Sequence, residues 1–163
     1  MQKFIQKYTI VALLEDNLEG FEYPSSNWPL HTTIADTFSI EGDIKELIKE
    51  LATLAKRHHH LKTIATHDEY FGPEYKTQVT ILDMNEEIIE FHNAIVGLLK
   101  NFGVLFNDPQ YTESGFRAHS TVQDHARINL GETVVLKNLA LVDMFPNKDP
   151  YKRKILKIFK LDR

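Results

Sequence analysis

Cysteine is absent from this 163-residue chain, which excludes disulfides, thiolate metal centres and a cysteine nucleophile together. Long hydrophobic runs are also missing. No stretch approaches the ~20 consecutive apolar residues of a membrane span, so no membrane partner is expected. The opening Met1-Gln2-Lys3-Phe4-Ile5-Gln6-Lys7 interrupts its apolar residues with Gln and Lys, unlike the h-region of a secretory signal, and the cytoplasm is the expected compartment. A strong positive charge is lacking too. The formal net charge of −4 and pI near 6.0 contrast with the basic face that tracks a long nucleic-acid backbone, so a small or terminal phosphate is the better-matched ligand.

What remains is the composition of a globular domain, long enough to bury roughly two-thirds of the surface that its unfolded chain would expose. Residues 4 to 14 form an apolar run without Gly or Pro and read as a buried strand. Turn formers from Gly20 to Pro29 then make a loop into a second strand, Leu30 to Ile40. From Asp43 to Arg57, Ile44, Leu47, Ile48, Leu51 and Leu54 recur at helical spacing, with Asp43 and Glu46 resembling a capping box.

Leu61 to Phe71 and Tyr75 to Leu82 read as strands joined at Gly72-Pro73. Glu86 to Phe102 reads as a helix capped by Asn85 and closed by Gly103. After a short apolar run, Val104 to Phe106, strands are expected around Arg117 to Gln123, over Thr133 to Phe145 and over Arg153 to Leu161. Strands outnumber helices, and most are joined too tightly for parallel crossovers, which predicts a mainly antiparallel α+β protein.

Two tetrapeptides carry the chemistry: His31-Thr32-Thr33-Ile34 and His119-Ser120-Thr121-Val122. In a strand, a histidine and the threonine two residues on share a face, about 6.6 Å apart. Phosphodiester cleavage needs one group to accept a proton from the attacking oxygen and another to donate one to the leaving oxygen. Imidazoles titrate near neutrality and suit both tasks, each proton transfer typically contributing 10²- to 10⁴-fold in rate. The hydroxyls of Thr33 and Thr121 can donate to the non-bridging oxygens, where charge develops. Such a scheme requires no metal. A single His-x-Thr in a strand is common by chance, but here two copies stand 88 positions apart in similar contexts.

These motifs resemble the paired His-x-Thr/Ser-x signature of the 2H phosphoesterase superfamily, which includes 2′-5′ RNA ligase-like proteins and cyclic nucleotide phosphodiesterases. The order of elements around them is similar over most of the chain. The resemblance implies one domain over residues 1–163 with an α+β, bilobal fold: mainly antiparallel sheets with flanking helices around a central cleft. It implies a metal-independent phosphoesterase acting on 2′,3′-cyclic phosphates, or catalysing the reverse 2′-5′ ligation, with His31 and His119 catalytic and Thr33 and Thr121 holding the phosphate. No cofactor is expected. The expected partner is a small nucleotide or an RNA terminus, met by a monomer. The alternative is a non-catalytic nucleotide- or RNA-end-binding module with the same cleft. In one respect the motifs depart from the family: Thr32 and Ser120 are polar where many relatives are apolar, a difference that bears on packing because these side chains face away from the cleft.

Arg117 shares parity with His119 and Thr121, so an unbroken strand would aim it at the same phosphate. Trp28, Phe71, Phe116 and Phe145 could stack on a base, although core packing or loop anchoring is the expected role of each. The run His58-His59-His60 offers at most two ligands to one ion, and helix-end solvation is its expected role. His67 lacks a threonine two residues on, and His92 reads as a boundary residue of the second helix. His125 would stand about 20 Å along the strand from His119. The basic run from Lys152 to Lys160 reads as an edge strand guarded against aggregation.

Overall fold

Short β-branched and aromatic runs, punctuated by turn formers, fold into closely connected antiparallel ladders. In the computed structural model, which describes residues 4–162, the elements follow one another as β1 (Tyr8–Leu13), β2 (Glu22–Pro24), β3 (His31–Ser39), α1 (Ile44–Lys56), β4 (Leu61–Phe71), β5 (Thr77–Leu82), α2 (Glu86–Lys100), β6 (Leu105–Phe106), β7 (His119–Thr121), β8 (Thr133–Leu136), β9 (Asn138–Asp143) and β10 (Lys152–Lys160). A six-stranded sheet has the order β2-β10-β9-β1-β3-β6, and a four-stranded sheet the order β7-β5-β4-β8. Every ladder in both sheets is antiparallel. The architecture is the α+β, bilobal one expected.

The helices begin where their caps dictate. Asp43 accepts from the Lys45 amide at 2.8 Å, and Asn85 from the Ile88 amide at 3.0 Å, each satisfying a donor that the first turn leaves unpaired. Glu46 does not close a capping box; it pairs with Lys49 at 3.3 Å. Beyond α2, Gly103 takes φ +67°, and a Cβ there would stand 2.9 Å from the Glu41 carboxylate. Glycine alone fits that close approach.

Helix α1 packs on β10 and α2 on β3. Their apolar faces, including Leu47, Leu51, Ile88, Phe91, Ile95 and Leu99, join Ile10, Phe38 and Leu139 of the large sheet and Ala65 and Leu82 of the small one in a single buried cluster. The two lobes therefore share a core. Truncating a fully buried member such as Phe38 or Phe91 to Ala is of a kind that costs about 3–5 kcal/mol. A second cluster, including Val11, Leu13, Tyr23, Ala140 and Ile155, covers the other face of the large sheet.

Several expected boundaries move. Phe4 to Lys7 lie outside β1; Phe4 and Ile5 are exposed, and Phe4 meets Phe145 edge-on at 5.8 Å. Met1 to Lys3 lie outside the described residues. The loop expected between the first two long strands contains β2, which pairs with β10. The run from Thr133 to Phe145 is two strands: Leu136 pairs with Leu61 in the small sheet, whereas Asn138 pairs with Leu13 and Lys160 in the large one. The chain changes sheets at Lys137, where only Lys137 and Asn138 interrupt two apolar runs, so the break is slight in hydropathy. The strand expected over Arg117 to Gln123 contracts to β7.

Candidate active site

Each motif occupies the start of its strand, and cross-strand pairing fixes which way it faces. His31 and Thr33 lie opposite Leu13 and Val11 of β1, so they share one face of the large sheet. His119 and Thr121 lie opposite Ile81 and Val79 of β5, sharing one face of the small sheet. The two strands lie against each other. The hydroxyl of Thr32 donates to the His119 carbonyl at 2.6 Å, a direct bond between the motifs across 87 positions. Thr32 and Ser120, the polar middle residues, are both buried.

The two histidines are held alike. His31 Nδ1 lies 2.7 Å from the Pro29 carbonyl, and His119 Nδ1 lies 2.8 Å from the Arg117 carbonyl. A carbonyl can only accept, so Nδ1 carries the proton in both rings and Nε2 is the nitrogen available for chemistry. An aromatic ring backs each imidazole: Trp28 lies 4.8 Å from His31 and Phe71 lies 5.0 Å from His119. A guanidinium covers each of those aromatics in turn, Arg153 at 5.8 Å from Trp28 and Arg117 at 5.6 Å from Phe71. The same succession of arginine, aromatic and histidine thus occurs once in each lobe, with the histidine tilted at 34° to Trp28 in one and edge-on at 70° to Phe71 in the other.

The electrostatics distinguish the two rings. Burial pushes the His31 imidazolium down to about 4, with the neighbouring His119 adding to the fall while the Pro29 carbonyl and Glu15 oppose it. Burial also lowers His119, opposed by the Arg117 carbonyl and Asp36 and reinforced by the Arg117 guanidinium. Both rings are neutral at neutral pH, and His31 is held neutral the more firmly.

Arg117 lies just before β7 and makes a two-pronged pair with Glu69, at 3.0 and 2.6 Å. That pair, followed by the hydrogen bond from His67 at 2.7 Å, holds Glu69 down at about 2. Sequence reasoning missed Glu69, although its parity with Phe71 on β4 was a usable signal. It also missed Glu15, two residues beyond the end of β1.

Among the aromatic candidates, Trp28 and Phe71 back the histidines. Phe116 stacks at 3.8 Å on His92, and Phe145 packs against Phe4. His92 is not a boundary residue but is fully buried, its Nδ1 donating to the Ile34 carbonyl at 2.6 Å and its Nε2 accepting from the Glu113 amide at 2.9 Å. His58 donates to the Leu54 carbonyl at 2.9 Å and packs against Phe91. Among the described residues, no group of three or more His, Asp or Glu side chains is disposed to hold a metal ion. No helix among them is long and apolar enough to cross a membrane.

No family model and no curated protein matches the sequence. Solved structures do match in fold. TT0787 of Thermus thermophilus is 15% identical with a TM-score of 0.60, covering 95% of this chain and 97% of its own. A phosphoesterase structure is 15% identical with a TM-score of 0.56, covering 98% and 100%. LigT of E. coli, in complex with 3′-AMP, is 14% identical with a TM-score of 0.55, again covering 98% and 100%. The chain therefore has the fold of the 2H phosphoesterases over nearly its whole length. LigT, a 2′-5′ RNA ligase, is among the proteins that share it.

Proposed function

We propose that this protein is a metal-independent phosphoesterase that opens 2′,3′-cyclic phosphates with His31 and His119, or joins such ends through a 2′-5′ linkage in reverse. The observation that carries the reading is the bond from Thr32 to the His119 carbonyl, which ties together two motifs whose histidines both leave Nε2 available. The LigT complexes with 3′-AMP, NADP+, ATP and phosphate add support for a nucleotide ligand on this fold.

In the hydrolytic direction, His31 Nε2 accepts a proton from water as the water oxygen bonds to phosphorus. The bond from phosphorus to one ribose oxygen breaks, and His119, protonated at Nε2, gives that oxygen its proton. His31 is the better base because burial holds it neutral, and Asp36 favours the charged form of His119. The substrate's own negative charge favours protonation of His119 further. Thr33 and Thr121 donate to the non-bridging oxygens, and Arg117 adds positive charge beside His119.

The test is hydrolysis of nucleoside 2′,3′-cyclic monophosphates in EDTA. Activity should survive the chelator and fall at least about a hundredfold in His31→Ala and in His119→Ala. Tight nucleotide binding without turnover by the wild type would leave a binding module in place of an enzyme.

A further inference from the structure

A cavity of about 270 Å³ borders the His31 side of the site, lined in part by Glu15, Phe21, Glu22, Tyr23 and Trp28. It is contiguous with the histidine, because Trp28 backs the His31 ring and Pro29, which also lines the cavity, supplies the carbonyl that holds Nδ1. Its size is near the lower end of small-molecule pockets of about 300–1,000 Å³, enough for one planar ring system and too small for an oligonucleotide.

The wall is a ladder of rings running inward from the surface. Phe21 stacks on Tyr23 at 5.7 Å, Tyr23 meets Trp28 at 5.2 Å, and Trp28 reaches His31 at 4.8 Å. Phe21 is 44% exposed, so the outer rung is free to receive another flat ring. The charged groups of the wall are carboxylates, those of Glu15 and Glu22, alongside the amides of Asn17 and Asn27 and the imidazole of His125, and no lysine or arginine lines the cavity among the described residues. His125 Nε2 lies 3.0 and 3.1 Å from the two Glu15 oxygens, one nitrogen spanning the fork of the carboxylate in a partly exposed pair that two adjacent donors of a ligand can displace.

Such a cavity repels a second phosphate and favours a flat group rich in N–H donors. Of the common bases, guanine presents two adjacent donors, N1–H and the 2-amino group, spaced to meet both oxygens of one carboxylate. We propose that this cavity is a base subsite in which Glu15 selects guanine, so that the preferred substrate is guanosine 2′,3′-cyclic phosphate or an RNA end terminating in it. The substrate assignment rests on the phosphodiesterase reading above; the base subsite does not.

Trp28, the single tryptophan, is a reporter built into the wall. Its fluorescence should be quenched by phosphate-free guanosine with a Kd at least about fivefold lower than for inosine, which lacks the 2-amino group, or for adenosine and uridine. Glu15→Gln should bring the guanosine and inosine values together. Equal affinities in the wild type, no quenching by guanosine, or an undiminished preference in Glu15→Gln would overturn the subsite. The wild-type series decides the matter should the variant fail to fold.

The kcat/KM for guanosine against uridine 2′,3′-cyclic phosphate separates the two ideas. Turnover of both at equal rates keeps the phosphodiesterase and removes the subsite. Selective guanosine binding with no turnover of either keeps the subsite and removes the phosphodiesterase.

Discussion

The Thr32 hydroxyl donates to the main-chain carbonyl of His119 at 2.6 Å, so a side chain pointing away from the face that carries His31 and Thr33 sets the distance between β3 and β7. Ser120 is its counterpart in the second motif, equally buried, yet its Oγ has no hydrogen-bond partner among the described residues.

The two positions should therefore respond oppositely to loss of the hydroxyl. Thr32→Val removes a buried donor and leaves the carbonyl short of a partner, at a cost of about 1–3 kcal/mol. For a chain of this size that corresponds to about 2–4 °C in Tm per kcal/mol, and kcat should fall with it as the motifs loosen. Ser120→Ala removes a group that is making no bond and should leave Tm unchanged or slightly raised. Thermal melts of both variants check this; equal losses would show that the Thr32 bond does not hold the strands together.

Stability should fall on the acid side because of His31. Its folded-state value is about 4, below the ordinary histidine value of 6.5, so between these limits the unfolded chain binds a proton that the folded chain excludes. The stability of neutral His31 is fully present above pH 6.5 and is lost as pH falls through 4. The whole change amounts to about 3 kcal/mol, at about 1.4 kcal/mol per pH unit. Urea unfolding at pH 7, 5.5 and 4.5 measures it. His31→Gln, which cannot titrate, should flatten the decline over this window.

His92 has a comparable structural role one layer away from the chemistry. The pairing of β3 with β1 slips by one residue around Ile34, between the pairs Ile10–Ala35 and Val11–Thr33, and His92 donates to the Ile34 carbonyl at 2.6 Å. Its other nitrogen accepts from Glu113, and its ring stacks on Phe116, three residues before His119. His92→Leu fills the space but leaves both backbone groups unpaired. A loss of about 2–4 kcal/mol in unfolding free energy is expected, with kcat falling more than KM rises. An unchanged Tm would remove His92 from this role.

The bulge explains why some of this was hidden from the sequence. Helical periodicity and caps located α1 and α2 to within about two residues, and the turn formers at Gly72-Pro73 located the β4–β5 hairpin. The motif residues could be singled out because two copies of one short pattern are improbable by chance. Strand alternation cannot anticipate a one-residue slip at Ile34, and hydropathy barely registers a switch between sheets at Lys137, where two polar residues stand between the buried runs ending at Leu136 and beginning at Leu139. Contacts at long sequence separation were equally out of reach: that Glu69 would occupy Arg117, and Glu15 would meet His125, depends on where the folded sheets bring β1, β4 and β7.

Arg117 offers the sharpest functional contrast. Its guanidinium stands over Phe71 beside His119, but both prongs are engaged by Glu69, and the pair is well exposed to solvent. An exposed ion pair is weakly held because water and salt screen both charges, so an incoming phosphate can compete for the same guanidinium. If Arg117 binds the substrate phosphate, Glu69 is its competitor. Glu69→Gln should then lower KM for a cyclic mononucleotide severalfold, and Arg117→Ala should raise it about tenfold, with smaller changes in kcat for both. Should Glu69→Gln instead raise KM, the carboxylate orients the arginine for the substrate; unchanged KM in both variants would take Arg117 out of the phosphate site. Steady-state kinetics at low and moderate salt distinguish these outcomes, because the competition weakens as screening increases.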